Sequence, residues 1–200
     1  MSKKPFLSLM PPVIILSHPQ LGENIGAAAR AMKNCGFAEL RLINPRDGWP
    51  NPDAKPMATH ALDVLQNATV FTDLASACFD ITQIFATSAR PRELKKSVIN
   101  PRAAAEICAQ NTLTNLLSNN EYKAAYLFGS ERVGLTNDEV VLADFIVEAN
   151  LNPVSNSLNL AQAVIIMCWE FSMITAFSQT SLKTFNQISL QPKMKKEKQK

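Results

Sequence analysis

Apolar residues follow two alternating patterns along the chain. Short, nearly continuous runs rich in β-branched residues occur at VIILS (13–17), ELRLI (39–43), TVF (69–71), ITQIFATS (81–88), AAYLFG (124–129) and DFIVEA (144–149). Runs of this kind mark strands covered on both faces, as in a parallel sheet. Between them, helical spacing predicts helices over 24–35, 54–66, 73–79, 101–118 with a break, 136–142 and 158–178. Strands alternating with helices predict an α/β fold, a parallel sheet flanked by helices. NPRDGWPNPDA (44–54) reads as a loop from its Pro, Gly, Asn and Asp content. No internal repeat is visible.

Two hundred residues suit one domain with a real core. The domain is expected over residues 1–180, followed by a lysine-rich tail over 181–200 whose end, LQPKMKKEKQK, has the composition of a disordered segment. Lys193, Lys195, Lys196, Lys198 and Lys200 against Glu197 exceed the whole chain's net charge of +3. The folded body is therefore slightly acidic, and bulk charge does not argue for nucleic acid. A local cluster, SARPRELKKSVINPR (88–102), holds Arg90, Arg92, Lys95, Lys96 and Arg102 against Glu93. It is either a solvated loop or a patch facing an anion.

Two segments imitate membrane signals. MSKKPFLSLMPPVIIL begins with lysines and turns apolar, but Pro11 and Pro12 split the run and no small-residue cleavage site follows. Leu158–Phe177 is long and apolar, yet it contains Asn159, Gln162, Glu170 and Thr175. It reads as a helix buried in a core or a subunit contact, not as a membrane span. Cys35, Cys78, Cys108 and Cys168 are scattered, with no CxxC pair and no zinc-ligand spacing. They predict reduced thiols in a cytoplasmic protein. His18 and His60 are too few for a metal cluster, and no metal is expected.

Ligands of α/β sheets bind beyond the carboxyl ends of the strands. The polar segments SHPQLGEN, TSARPR, GSERVGL and NLNPVSNSLN follow strand candidates there. In the first helix, Ile25, Ala28, Ala29 and Met32 form the core stripe, Asn24 is placed to cap the start, and Gly36 fits just past the end. Gly26 is read as open space beneath Arg30. Arg30 is then either a plain exposed arginine or one held near a helix N-terminus for a phosphate. In the second segment, Thr136 and Glu139 form a capping box, which leaves the carboxylate Glu131 unexplained. In the third, Ser157 is a candidate N-cap for the last helix, and the hydroxyls and amides around it suit a polar ligand. The common nucleotide signatures GxGxxG and GxxxxGK[ST] are absent.

Asn24-Gly26-Arg30 as NxGxxxR, Phe128 to Leu135 as FGxExxGL, and Ser157 to Ala161 as SLNLA occur in this order. They resemble the three motifs of the SpoU/TrmH-type 2′-O-ribose RNA methyltransferases of the SPOUT superfamily. TSAR (87–90) and the NP of NPVSNSLNLA resemble the TrmJ type, which methylates cytidine and uridine in tRNA. The match spans roughly residues 12–178. The resemblance implies a SPOUT-type α/β fold with a C-terminal trefoil knot, S-adenosylmethionine as cofactor, a homodimer, and RNA as partner, with tRNA at the anticodon loop as substrate. It implies cofactor contacts from Thr87, Ser88, Ala89, Gly129, Ala149, Asn156, Ser157 and Leu158. It makes Arg30 the main catalytic residue, with Asn24 orienting it or the RNA, Glu131 shaping the cleft, and Ser157 and Asn159 holding the active-site loop. A guanidinium is a poor base. Two roles are open to Arg30: clamping a phosphate, or stabilising alkoxide charge as it develops. Helices 24–35 and 158–178 are expected near the dimer contact. Where TrmJ-type proteins carry a helical C-terminal extension, this sequence has a lysine-rich tail, which leaves the choice of RNA open. Another tRNA position, ribosomal RNA, a non-catalytic RNA-binding role and an enzyme of small phosphorylated molecules remain alternatives.

Overall fold

The computed structural model describes residues 9–88 and 95–189, with side chains as far as residue 175. The strands are β1 (Val13–Ser17), β2 (Leu40–Ile43), β3 (Thr69–Phe71), β4 (Gln83–Thr87), β5 (Val98–Ile99), β6 (Ala124–Phe128) and β7 (Phe145–Val147). They form one sheet in the order β3-β2-β1-β6-β4-β7-β5. Every pairing is parallel. Six strands fall on the predicted runs. The seventh, β5, has two residues and pairs with β7 at the sheet edge. β7 enters between β4 and β5, two strands that precede it in sequence. The expected knot is compatible with that order.

The helices are α1 (Gly22–Asn34), α2 (Ala54–Ala58), α3 (Leu62–Gln66), α4 (Leu74–Ala77), α5 (Pro101–Leu117), α6 (Asn137–Leu142) and α7 (Leu160–Ser189). The sheet divides the core, because successive side chains on a strand point to opposite faces. Ile14, Leu16, Phe85, Tyr126 and Phe128 face α1, α2, α3, α5 and α7. Val13, Ile15, Ile84, Ala86 and Leu127 face α4 and α6. The helix expected over 54–66 is two helices joined by a 3-10 turn at Thr59–Ala61, with Thr59 at φ 49°. The break expected within 101–118 is absent, since α5 runs unbroken with Asn100 as its cap. α7 continues past the expected end at 178 to Ser189. Tail residues 190–200 lie outside the described residues. Among the described residues, no helix is long and apolar enough to cross a membrane.

One reading of α1 is corrected by its packing. Gly26 is not open space: a Cβ there would lie 2.0 Å from the Ala54 carbonyl oxygen. The missing side chain lets the backbone of α2 press onto α1. Ala28 and Ala29 are wholly buried against neighbours of the same chain. Packing within the chain is enough to account for these two alanines of α1.

At the amino edge of the sheet, opposite the strand ends discussed below, Arg41 is buried in β2. Its guanidinium grips Asp80 bidentately at 2.6 and 2.8 Å and also reaches Glu39 and the Ala77 carbonyl. Lys123 bridges Glu39 and Asp80 at 2.9 Å. Arg41 holds the Asp80 carboxyl well below the usual carboxylate range, a drop that partial burial only partly offsets. For Glu39, burial pushes upward, but Lys123 and Arg41 outweigh it. A carboxylate with a depressed folded pKa stabilises above its unfolded pKa, and that stability is lost as pH falls toward the folded value. The thermal midpoint is expected to fall between pH 5 and pH 3. Asp80→Asn should cost about 2 kcal/mol at pH 7 and should melt with a visibly smaller acid dependence. An equal acid slope in the two proteins contradicts the assignment.

Candidate active site

The three polar segments meet at the carboxyl ends of the strands. Glu131, in the β6–α6 connection, accepts the Gln20 backbone N–H on Oε2 at 2.8 Å. Its Oε1 accepts the Leu21 backbone N–H at 3.3 Å and Asn24 Nδ2 at 2.8 Å. Asn24 Oδ1 in turn accepts from Asn159 Nδ2 at 2.8 Å. Asn159 Oδ1 accepts the backbone N–H of Ala161 at 2.8 Å. The direction of this chain is set at both ends. A carboxylate only accepts, and a backbone N–H only donates. Each amide between them has one orientation that satisfies both neighbours, so oxygen and nitrogen are assigned by the network.

This network corrects two expected caps. Asn24 lies inside α1, which begins after Leu21 with no side-chain cap. Its amide is spent on Glu131 and Asn159, and Asn24 is buried as a result. Ser157 does not cap α7. Asn159 does, through Ala161 and through its own N–H, which donates to Gln162 Oε1 at 3.1 Å. One residue thus starts the last helix and ties it to the first. The capping box of Thr136 and Glu139 is present as expected. Glu139 also accepts the Ser17 hydroxyl, which binds α6 to the end of β1.

A cavity of about 220 Å³ opens beside Glu131. The strand ends contribute Thr87 and Ser88 from β4, Gly129 from β6 and Ala149 from β7. The segment before α7 contributes Asn156, Ser157 and Leu158. Seven of the eight expected contact residues therefore share one cavity, while Ala89 lies outside the described residues. Val147, Leu151, Leu160 and Met167 add an apolar lining. Sequence reasoning passed over them: Val147 and Met167 sit in core patterns with no polar signal, while Leu151 and Leu160 are hidden beside the polar residues of the segment before α7. Thr87 donates its hydroxyl to the Leu127 carbonyl at 3.0 Å, so its oxygen is left to accept. Gly129 has no room for a side chain, because a Cβ would lie 2.1 Å from Gly134 C and Leu135 N. The connection folds back on itself there, with the Gly134 N–H donating to the Ser130 carbonyl at 2.8 Å.

Arg30 stands apart. It is exposed on α1, does not line the cavity, and makes no hydrogen bond or ion pair among the described residues. In the basic cluster, Lys96 donates to the Ala143 carbonyl and Arg102 pairs with Glu170 at 2.6 Å. Arg90 and Arg92 lie outside the described residues. No group of three or more metal-ligating side chains occurs among the described residues.

Comparison with known proteins places these features in a family. The profile of the SpoU rRNA Methylase family matches residues 11–169. The chain is 37% identical over 177 residues to the tRNA (cytidine/uridine/adenosine-2′-O-)-methyltransferase TrmJ of Pseudomonas aeruginosa (strain UCBPP-PA14), covering 87% of this chain and 65% of that protein. It therefore spans just under two thirds of that relative's length. It is 35% identical to the tRNA (cytidine/uridine-2′-O-)-methyltransferase TrmJ of Sodalis glossinidius, over 90% of this chain and 67% of that one. The crystal structure of TrmJ from Z. mobilis ZM4 superposes with a TM-score of 0.74 at 48% identity, covering 81% of this chain and 68% of that chain. The matched span includes all three segments that meet at Glu131, and the chain belongs to the SpoU rRNA methylase family.

Proposed function

We propose that the protein is an S-adenosylmethionine-dependent methyltransferase of an RNA ribose 2′-hydroxyl. Its substrate in this reading is a cytidine or uridine in the anticodon loop of tRNA. The observation that carries the proposal is the hydrogen-bonded chain from Glu131 through Asn24 to Asn159, which joins all three motif segments beside one cavity. The names of the relatives support the choice of RNA.

The residues present fit the cofactor. An apolar lining from Val147, Leu151 and Met167 suits a purine, and Thr87 offers an acceptor at its edge. Asn156 and Ser157 offer polar contacts for the amino-acid end. The carboxylate of Glu131 on the cavity wall complements a sulfonium cation. When bound, S-adenosylmethionine supplies an already activated methyl group. The protein's task is then mainly to place the ribose oxygen in line with it.

In this reading Glu131 is first a positioning residue. It holds the Gln20–Leu21 backbone and the Asn24 amide, and so fixes where α1 begins relative to the cavity. Asn159 fixes the start of α7 and the loop containing Ser157 in the same way. Arg30, with its fork unoccupied, binds a phosphate next to the target ribose and stabilises the developing alkoxide. We place the contact of a homodimer on α7, whose Trp169 and Met173 remain 54% and 41% exposed. That contact lies beside α1, against which α7 packs. The scattered free thiols support a cytoplasmic setting.

Arg30→Ala tests the chemical role. Its single-turnover rate at saturating RNA should fall about 100-fold or more. Its affinity for S-adenosylmethionine, measured by calorimetry, should be retained, because Arg30 is not in the cavity wall. An unaltered rate constant would remove Arg30 from the chemistry.

A further inference from the structure

Two arginines outside the assigned set stand near Glu131, one on the cavity wall and one in the neighbouring loop. Arg132, next to Glu131, lines the cavity and is exposed. It makes no hydrogen bond or ion pair among the described residues. Arg46 lies in the loop after β2, where its backbone N–H donates to the Pro19 carbonyl at 3.0 Å. That bond fastens the β2–α2 loop to the β1–α1 loop, whose next two N–H groups Glu131 holds. The Arg46 guanidinium also lies within electrostatic reach of Glu131. In the sheet, β1 stands between β2 and β6. Arg46 follows β2 and Arg132 follows β6, so the loops that carry them flank the carboxyl end of β1.

Arg46 is held by its neighbour. Nε and Nη2 each donate to Asp47 at 2.8 Å, while the two side chains stay 53% and 47% exposed. An exposed pair of this kind contributes little to stability. It does orient the guanidinium, and it occupies the fork that would meet a phosphate bidentately. A phosphate diester offers the same two-oxygen geometry as the Asp47 carboxylate.

We propose that Arg46 and Arg132 form a two-point seat for backbone phosphates of the RNA strand across the end of β1, and that Asp47 is a resident competitor which the phosphate displaces from Arg46. The inference rests on the RNA reading above and adds to it the residues that set the strand's path over the cavity. Both arginines are positioning residues. They act through the RNA backbone, not on the reacting atoms.

The test uses unmodified tRNA transcript with the whole chain, comparing wild type with Arg46→Gln, Arg132→Gln and Asp47→Asn. Each arginine variant should raise the Kd for tRNA about tenfold. Each should also make the slope of log K against log salt shallower by about one. Saturating RNA should restore most of the single-turnover rate. Asp47→Asn should act in the opposite direction and tighten tRNA binding. If the Arg46–Asp47 pair only holds the loop, Asp47→Asn weakens binding as Arg46→Gln does, and the inference fails. It fails too if the salt slopes match wild type, or if Arg132→Gln loses cofactor affinity but keeps tRNA affinity. Wild-type protein that binds no tRNA at low salt overturns the RNA reading itself. Normal wild-type binding with unaltered variants overturns this inference alone.

Discussion

Replacing Glu131 by glutamine is expected to lower methyl transfer by about 100-fold, because a misplacement of about 1 Å at a reacting centre has an effect of that order. The substitution keeps shape and removes only charge and one acceptor. Two oxygens of Glu131 now serve three donors, from Gln20, Leu21 and Asn24. A glutamine presents one oxygen and one NH2 group. Whichever way it turns, an N–H faces an N–H, and at least one partner is released. If Asn24 is released, its amide is free to rotate, and its oxygen no longer has to face Asn159. The start of α7 then loses its link to α1. Losing a charge-assisted bond and leaving a donor unpaired costs about 2 kcal/mol. For a chain of this size that lowers the thermal midpoint by roughly 4–8 °C. The folded protein remains testable, so a rate measured well below the midpoint separates misplacement from unfolding. A glutamine variant with wild-type rate and wild-type melting would mean that the chain of hydrogen bonds has no part in activity.

Gly129→Ala is the second large effect. The added methyl would sit 2.1 Å from Gly134 C and Leu135 N and 2.5 Å from the Gly134 carbonyl oxygen. These are backbone atoms, so no rotamer change relieves the clash. The loop must move outward from the end of β6, carrying Ser130 and Glu131 off the cavity wall. A destabilisation of about 3 kcal/mol is expected, with loss of most S-adenosylmethionine binding. Gly134→Ala makes the comparison informative. Gly134 has φ +69° and open space around it. An alanine there should cost only about 1 kcal/mol of backbone strain. Calorimetric titration of the cofactor into both variants checks the contrast. Equal behaviour of the two would show that steric closure at Gly129 is not what shapes the cavity.

The sheet was largely legible because its central strands β1, β2 and β6 are buried on both faces. VIILS and AAYLFG have no polar alternation to confuse the pattern, and they appear as β1 and β6. β5 was not legible, since two residues make no periodic signal and only pairing with β7 makes Val98–Ile99 a strand. The buried Arg41 was missed for a related reason: its fork–fork partner Asp80 is 39 residues away. The residue types at the site could be read, but their bonding could not. An asparagine near a helix start looks like a cap whether or not it is one. Asn24 was read that way because Glu131, 107 residues on, is invisible to local reasoning. Gly26 was read as a space for Arg30, although the backbone of α2 fills it. The cavity's apolar wall was hidden because Val147 and Met167 carry the same pattern as the core around them.

The most direct test of the central claim is methyl transfer from labelled S-adenosylmethionine to unmodified tRNA, followed by digestion and identification of the labelled nucleoside. The expected product is 2′-O-methylcytidine or 2′-O-methyluridine from the anticodon loop. Label on a base, or none at all despite measured binding of both cofactor and tRNA, would contradict it.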